Sequence, residues 1–221
     1  MMHHLNRILV LCTILAGIGG VFLTVFSVST PVDAAPSTCR ELEIVFVIDQ
    51  SGSMGGPETA GVGRTIANDP LKLRFYAPQH AIETMGPLRY TAHPDSTIRF
   101  ALIHFGDRPE IGIPWTVITP TNEIDWKRQL IDLHAVLDKQ KAEWEKRNLG
   151  GTNFLRAFQG AASLFSQRPA QVGDCPYRAV VLLTDGKPEL AEPGFTVAKH
   201  FAELQDYVSK FMPIPNYDLY V

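Results

Sequence analysis

Apolar residues gather in two near-continuous runs, Ile44-Val45-Phe46-Val47-Ile48 and Ala179-Val180-Val181-Leu182-Leu183. Runs of this kind, closed by turn residues, are how strands buried on both faces of a parallel sheet read. They predict strands over 42–48 and 178–183. Thr97–Phe105 predicts a further strand through Ile98, Phe100, Leu102 and Ile103. Ile111–Ile118 predicts another, and Pro114 inside it points to an edge position or a bulge.

Between these runs the apolar period changes from short to helical. Asp69-Pro70 offers an N-cap followed by a proline at the first helical position. Leu73, Ala77, Ala81, Ile82 and Met85 follow as a stripe, which Pro78 is expected to kink or split, and Pro87–Asp95 reads as loop. Trp126, Leu130, Leu133, Leu137 and Trp144 mark a long amphipathic helix within 122–147. Phe154, Ala157, Ala161 and Leu164 mark a third helix, and Val197, Phe201, Leu204, Val208 and Phe211 a fourth. Strands alternating with helices predict an α/β fold with a mainly parallel, doubly wound sheet flanked by helices. Asp218–Val221 reads as the opening of a fifth strand.

The 221 residues are 45% hydrophobic with a net charge of −3 and no block of one sign. A packed core is feasible, and nothing suggests an electrostatic nucleic-acid binder. Both buried strands end in chemistry: Asp49-Gln50-Ser51-Gly52-Ser53 follows the first, and Thr184-Asp185-Gly186 follows the second. Open α/β sheets bind ligands at the carboxyl ends of their strands. The donors there are oxygens, which suits a hard divalent cation, Mg²⁺ or Mn²⁺. Two carboxylates, Asp49 and Asp185, balance its charge.

Asp49-x-Ser51-x-Ser53, the distant Thr152 and the more distant Asp185 together resemble the metal-ion-dependent adhesion site of the von Willebrand factor type A domain, over about 42–221. The resemblance implies that the Ser51, Ser53 and Thr152 hydroxyls bind metal directly or through water, while Asp49 and Asp185 act mostly through water. It implies a protein partner whose Asp or Glu completes the metal shell, in adhesion or complex assembly, with no catalytic residue, and, since a full domain of that family has a further strand and a final helix, a domain truncated before them. The alternative is a metal-assisted hydrolase acting on a phosphate or ester, with Asp49 and Asp185 around an activated water. Gly61-Val62-Gly63-Arg64-Thr65 is not a phosphate loop, since Glu58 stands where its first glycine belongs and Arg64 where its lysine does. Ser51-Gly52-Ser53 is not a hydrolase elbow. His104, near the end of its strand, reads as a packed or surface histidine.

Residues 1–34 are expected to stand outside the fold. His3, His4 and Arg7 precede an uncharged stretch over 8–28, and Val32-Asp33-Ala34 offers a signal-peptidase cut. The stretch exceeds the usual ~7–15 residues of a signal peptide's apolar region and reaches the ~20 that span a bilayer. Either a cleaved signal or a retained membrane anchor places the rest outside the cytoplasm, with 35–41 as linker. Cys39 precedes Asp49, and Cys175 precedes Asp185, by the same number of residues. The family's sheet order makes their two strands neighbours, so a Cys39–Cys175 disulfide is expected in an oxidising compartment.

Overall fold

Alternation along three parallel strands divides the core in two. The computed structural model describes residues 8–14, 22–24, 41–54, 69, 71–92, 96–168, 177–184, 186 and 188–211. Strand β3 (Glu41–Asp49) lies between β4 (Thr97–Phe105) and β6 (Tyr177–Thr184), parallel to both. β5 (Pro109–Ile118) pairs antiparallel with β4 at the edge. Successive side chains on a strand point to opposite faces. Val45, Val47, Ala101, Ile103, Phe105, Val180 and Leu182 therefore share one core, under helices α3 (Phe154–Ser166) and α4 (Val197–Phe211). Ile44, Phe46, Ile48, Phe100, Leu102, Ala179 and Leu183 share the other, under α1 (Leu73–Ala92) and α2 (Glu123–Trp144). Helices on both faces of the sheet make the chain doubly wound, as expected.

Several elements depart from the sequence reading. α1 starts at Leu73, after Lys72 at φ 55°, yet Asp69 still caps it by accepting from the backbone N–H groups of Leu73 at 2.7 Å and Arg74 at 3.3 Å. Pro78 does not split this helix, and Pro87 does not end it. A proline removes one backbone bond, and here tertiary ties offset that loss. Arg89 donates to the carbonyls of Ser96 and Pro120, both at 2.7 Å. α2 begins after Asn122, whose side chain accepts from the Asp125 N–H, a cap worth ~1 kcal/mol. Pro114 behaves as expected: β5 is an edge strand, and its register against β4 slips between Phe100↔Thr116 and Leu102↔Ile113.

Beyond β6 the sheet continues with β1 (Ile8–Ile14), parallel to β6, and β2 (Phe22–Thr24), antiparallel to β1. The apolar run expected to stand outside the fold thus adds two strands to the sheet. An unpaired strand edge presents a row of N–H and C=O groups, and a stretch rich in Ile, Leu and Val pairs with it readily. Cys39, Cys175 and the expected fifth strand over 218–221 lie outside the described residues. Among the described residues no helix is long and apolar enough to cross a membrane.

Candidate metal centre

β3 delivers Asp49 to the carboxyl end of the sheet. The register Ile48↔Leu183 places Asp49 beside Thr184, and Asp49 itself pairs with Phe105. The Asp49 side chain is fully buried. Its Oδ1 accepts from the Ser51 N–H at 2.7 Å, and its Oδ2 accepts from the Thr184 hydroxyl at 2.6 Å. Both carboxylate oxygens are held, so the group has one orientation.

After Asp49 the chain leaves the sheet and tightens into a single 3-10 turn, Gly52–Met54. The Met54 N–H bonds back to the Ser51 carbonyl at 3.1 Å. Met54 is fully buried and anchors the turn in the core. Between these anchors the Ser51 and Ser53 hydroxyl oxygens lie 3.0 Å apart.

The loop that carries Thr152 is clasped to this turn through the backbone. The Leu149 N–H donates to the Gln50 carbonyl at 2.8 Å, and the Gly52 N–H donates to the Gly150 carbonyl at 3.2 Å. From the other side, the Asp107 N–H donates to the Leu149 carbonyl at 2.8 Å and the Asn153 N–H to the Gly106 carbonyl at 3.0 Å. Thr152 is buried and bridges Glu189 through N–H···O contacts of 2.7 and 3.2 Å. This closeness demands glycine: a Cβ on Gly151 would fall 2.1 Å from the Glu189 carbonyl oxygen, and Gly150 adopts φ +88°. Asn153 then caps α3, accepting from the Arg156 N–H at 3.0 Å.

The structure thus joins Asp49, Ser51 and Ser53 by direct hydrogen bonds and brings the Thr152 loop against them. Asp185 lies outside the described residues. Its neighbours Thr184 and Gly186 are described, and the Gly186 N–H donates to the Thr184 hydroxyl at 3.2 Å. Among the described residues no three His, Cys, Asp or Glu side chains converge as a metal cage. The oxygen set fits a small hard cation on other grounds. Adjacent ligands of an octahedral Mg²⁺ at about 2.0–2.1 Å stand about 2.8–3.0 Å apart, the spacing of the two serine hydroxyls.

Sequence reasoning overlooked two contributors. Thr184 reads as a strand-ending turn residue, but its hydroxyl orients Asp49. Gln50 occupies a variable place in the motif, yet it is buried and bonds to His104 at 3.2 Å. His104 is a packed histidine, also fully buried, with its ring stacked on Trp144 at 4.0 Å.

The family model of the von Willebrand factor type A domain matches residues 44–187, well over half of the chain. A comparison with curated proteins finds no match. Among solved structures, the vWF domain of the type V pili tip protein Mfa5 from Porphyromonas gingivalis is similar. It is 20% identical over 73% of this chain and 44% of its own, with a TM-score of 0.44. The PilB minor pilin from Streptococcus sanguinis is 18% identical over 69% of this chain and 31% of its own, with a TM-score of 0.44. Proximal thread matrix protein 1 from the mussel byssus is 17% identical over 78% of this chain and 34% of its own, with a TM-score of 0.42. The chain spans less than half the length of each of these three.

Proposed function

Because the chain belongs to the von Willebrand factor type A domain family, we propose that it is a divalent-cation-dependent protein-binding module. It acts outside the cytoplasm, in adhesion or complex assembly. The observation that carries this reading is the pairing of the Ser51 and Ser53 hydroxyls at 3.0 Å beside a carboxylate whose two oxygens are both held. Ser51, Ser53 and Thr152 would hold the cation, with Asp49 and Asp185 supplying charge and orienting water. A cation held mainly by neutral hydroxyls stays electrophilic and can take an Asp or Glu carboxylate from a partner.

Hydrolysis is the less supported reading. His104 touches the motif at Gln50, from which it accepts inside the core, and it is fully buried. A general base must reach the proton that it removes, and this ring is stacked on Trp144 with its Nδ1 taken by Gln50.

Asp49→Ala is expected to abolish Mg²⁺ binding in isothermal titration calorimetry while leaving the far-ultraviolet circular dichroism close to that of the parent. A variant that binds Mg²⁺ as the parent does would overturn the assignment. Asp185→Ala is expected to weaken binding in the same assay.

A further inference from the structure

The segment that bears the two serines is gripped at both ends by one buried network that the proposed function does not use. At its start, Gln50 makes four contacts. Its N–H donates to the Phe105 carbonyl at 2.7 Å, and its carbonyl accepts from the Leu149 N–H at 2.8 Å. Its side-chain Nε2 lies 3.2 Å from His104 Nδ1, and its Oε1 accepts from Arg74 Nη2 at 3.5 Å. At the end of the segment, Arg74 Nη1 donates to the Met54 carbonyl at 2.6 Å. Arg74 is itself fixed by Asp69 at 2.8 Å, and both side chains are almost wholly buried. Ser51, Gly52 and Ser53 therefore hang between two points tied to the same guanidinium.

The far side of His104 is equally constrained. Its ring lies nearly parallel to Trp144, with centroids 4.0 Å apart and 14° between planes. His104 Nε2 and Gln140 Oε1 lie together over Gly112, where a Cβ would come within 2.8 and 2.7 Å of them. With Gln50 Nε2 donating, His104 Nδ1 is the acceptor and its proton sits on Nε2, which makes no hydrogen bond within the described residues although Gln140 Oε1 lies near it. Burial keeps the ring neutral, which preserves that acceptor.

We propose that Gln50, seated between His104 and Arg74, is a positioning residue that fixes the Ser51–Ser53 spacing and thereby sets selectivity for Mg²⁺ over Ca²⁺. This rests on the metal-binding reading above. Mg²⁺ demands ligands at about 2.0–2.1 Å, whereas Ca²⁺ takes them at about 2.3–2.6 Å in a flexible shell, so discrimination depends on rigidity. Adjacent oxygens around Ca²⁺ would stand about 3.3–3.7 Å apart on the same octahedral geometry. A hydroxyl pair locked at 3.0 Å fits the smaller ion. Slackening the lock removes the reason to reject the larger one.

The test titrates Mg²⁺ and Ca²⁺ separately into the full chain, using the parent, Asp49→Ala, Gln50→Met and His104→Phe. Methionine nearly conserves the volume of glutamine and removes both side-chain hydrogen bonds. Phenylalanine keeps the stack on Trp144 and removes the Nδ1 acceptor. Each is expected to lower Mg²⁺ affinity by about three- to tenfold, what one net hydrogen bond is worth, and to leave Ca²⁺ affinity unchanged or raised. A general loss of stability would lower both affinities together and leave their ratio alone. If Gln50→Met does not fold, His104→Phe decides the matter. A parent that binds Mg²⁺, an Asp49→Ala that does not, and variants that keep the parent's ratio would overturn this proposal alone. A parent that binds neither ion would overturn the metal site, and this inference with it.

Discussion

At the scale of single residues, His104 carries the clearest consequence for solution behaviour. Its pKa is held at about 3, against 6.5 for a free imidazole. Burial is the main cause, and the charges of Arg74 and Arg147 add to it, while Gln140 works in the opposite sense. Between those two values the unfolded chain takes up a proton that the folded chain refuses. The contribution to stability is therefore complete above pH 6.5. It is lost as pH falls toward about 3, by roughly 1.4 kcal/mol per unit, and levels off below that. Urea unfolding at about pH 7 and about pH 5 is expected to show a larger loss for the parent than for His104→Phe, which has no proton to take up. Equal losses in the two proteins would place the acid sensitivity elsewhere. That Asp49, Ser51, Ser53 and the Thr152 loop come together was legible at this scale, because hydroxyls and carboxylates at strand ends carry their chemistry in their identity. Gln50 was not, since its role depends on a histidine 54 residues away along the chain.

At the scale of elements, the contact between α1 and α2 turns on Gly86. A Cβ there would fall 2.2 Å from the Trp126 ring, and Trp126 is buried. Gly86→Ala gains about 1 kcal/mol of helix propensity, but overpacking a rigid indole costs about 1–3 kcal/mol. The net expectation is a lower urea midpoint with an unchanged slope. A rise would mean that the two helices separate easily. The α2 stripe was readable from period alone, and its Trp126, Leu133, Leu137 and Trp144 are buried as the spacing implies, whereas Val197, expected to open the α4 stripe, is exposed. The boundary at Pro87 was not readable. The residues that hold the helix together there, Arg89 with Ser96 and Pro120, meet only in the folded chain. Asp69 shows the same limit: its capping role was visible, but the turn through Lys72 that separates it from α1 was not.

At the scale of the whole molecule, the sheet has two poles. One holds the hydroxyl cluster, and the other holds Glu43, only 2% exposed, which bonds Arg178 at 2.9 Å and reaches Arg168 at 3.3 Å. Removing one partner of a buried ion pair leaves charge unmatched. Glu43→Ala is expected to cost about 3 kcal/mol, the low end for such a break because Arg168 is partly exposed. If the proposed site binds Mg²⁺, the affinity of the folded protein should not change, since the substitution lies at the other end of β3. An altered affinity in calorimetry would mean that the two poles communicate. The layering followed from the apolar runs, because strands buried on both faces sit inside a doubly wound sheet, whereas the adjacency of β3 and β6 was expected only from the family resemblance. The pairing of the amino-terminal run with β6 did not follow, since an uncharged stretch suits a leader and a sheet edge equally. β5 closes the opposite side of the sheet, and its broken register has a further effect. Pro114 offers no donor there, and the slip interrupts the regular row of amides that a second molecule would copy. Ile111 and Val117 are exposed on this strand, so its irregular backbone is what guards the flank against fibre-like stacking of one copy on the next.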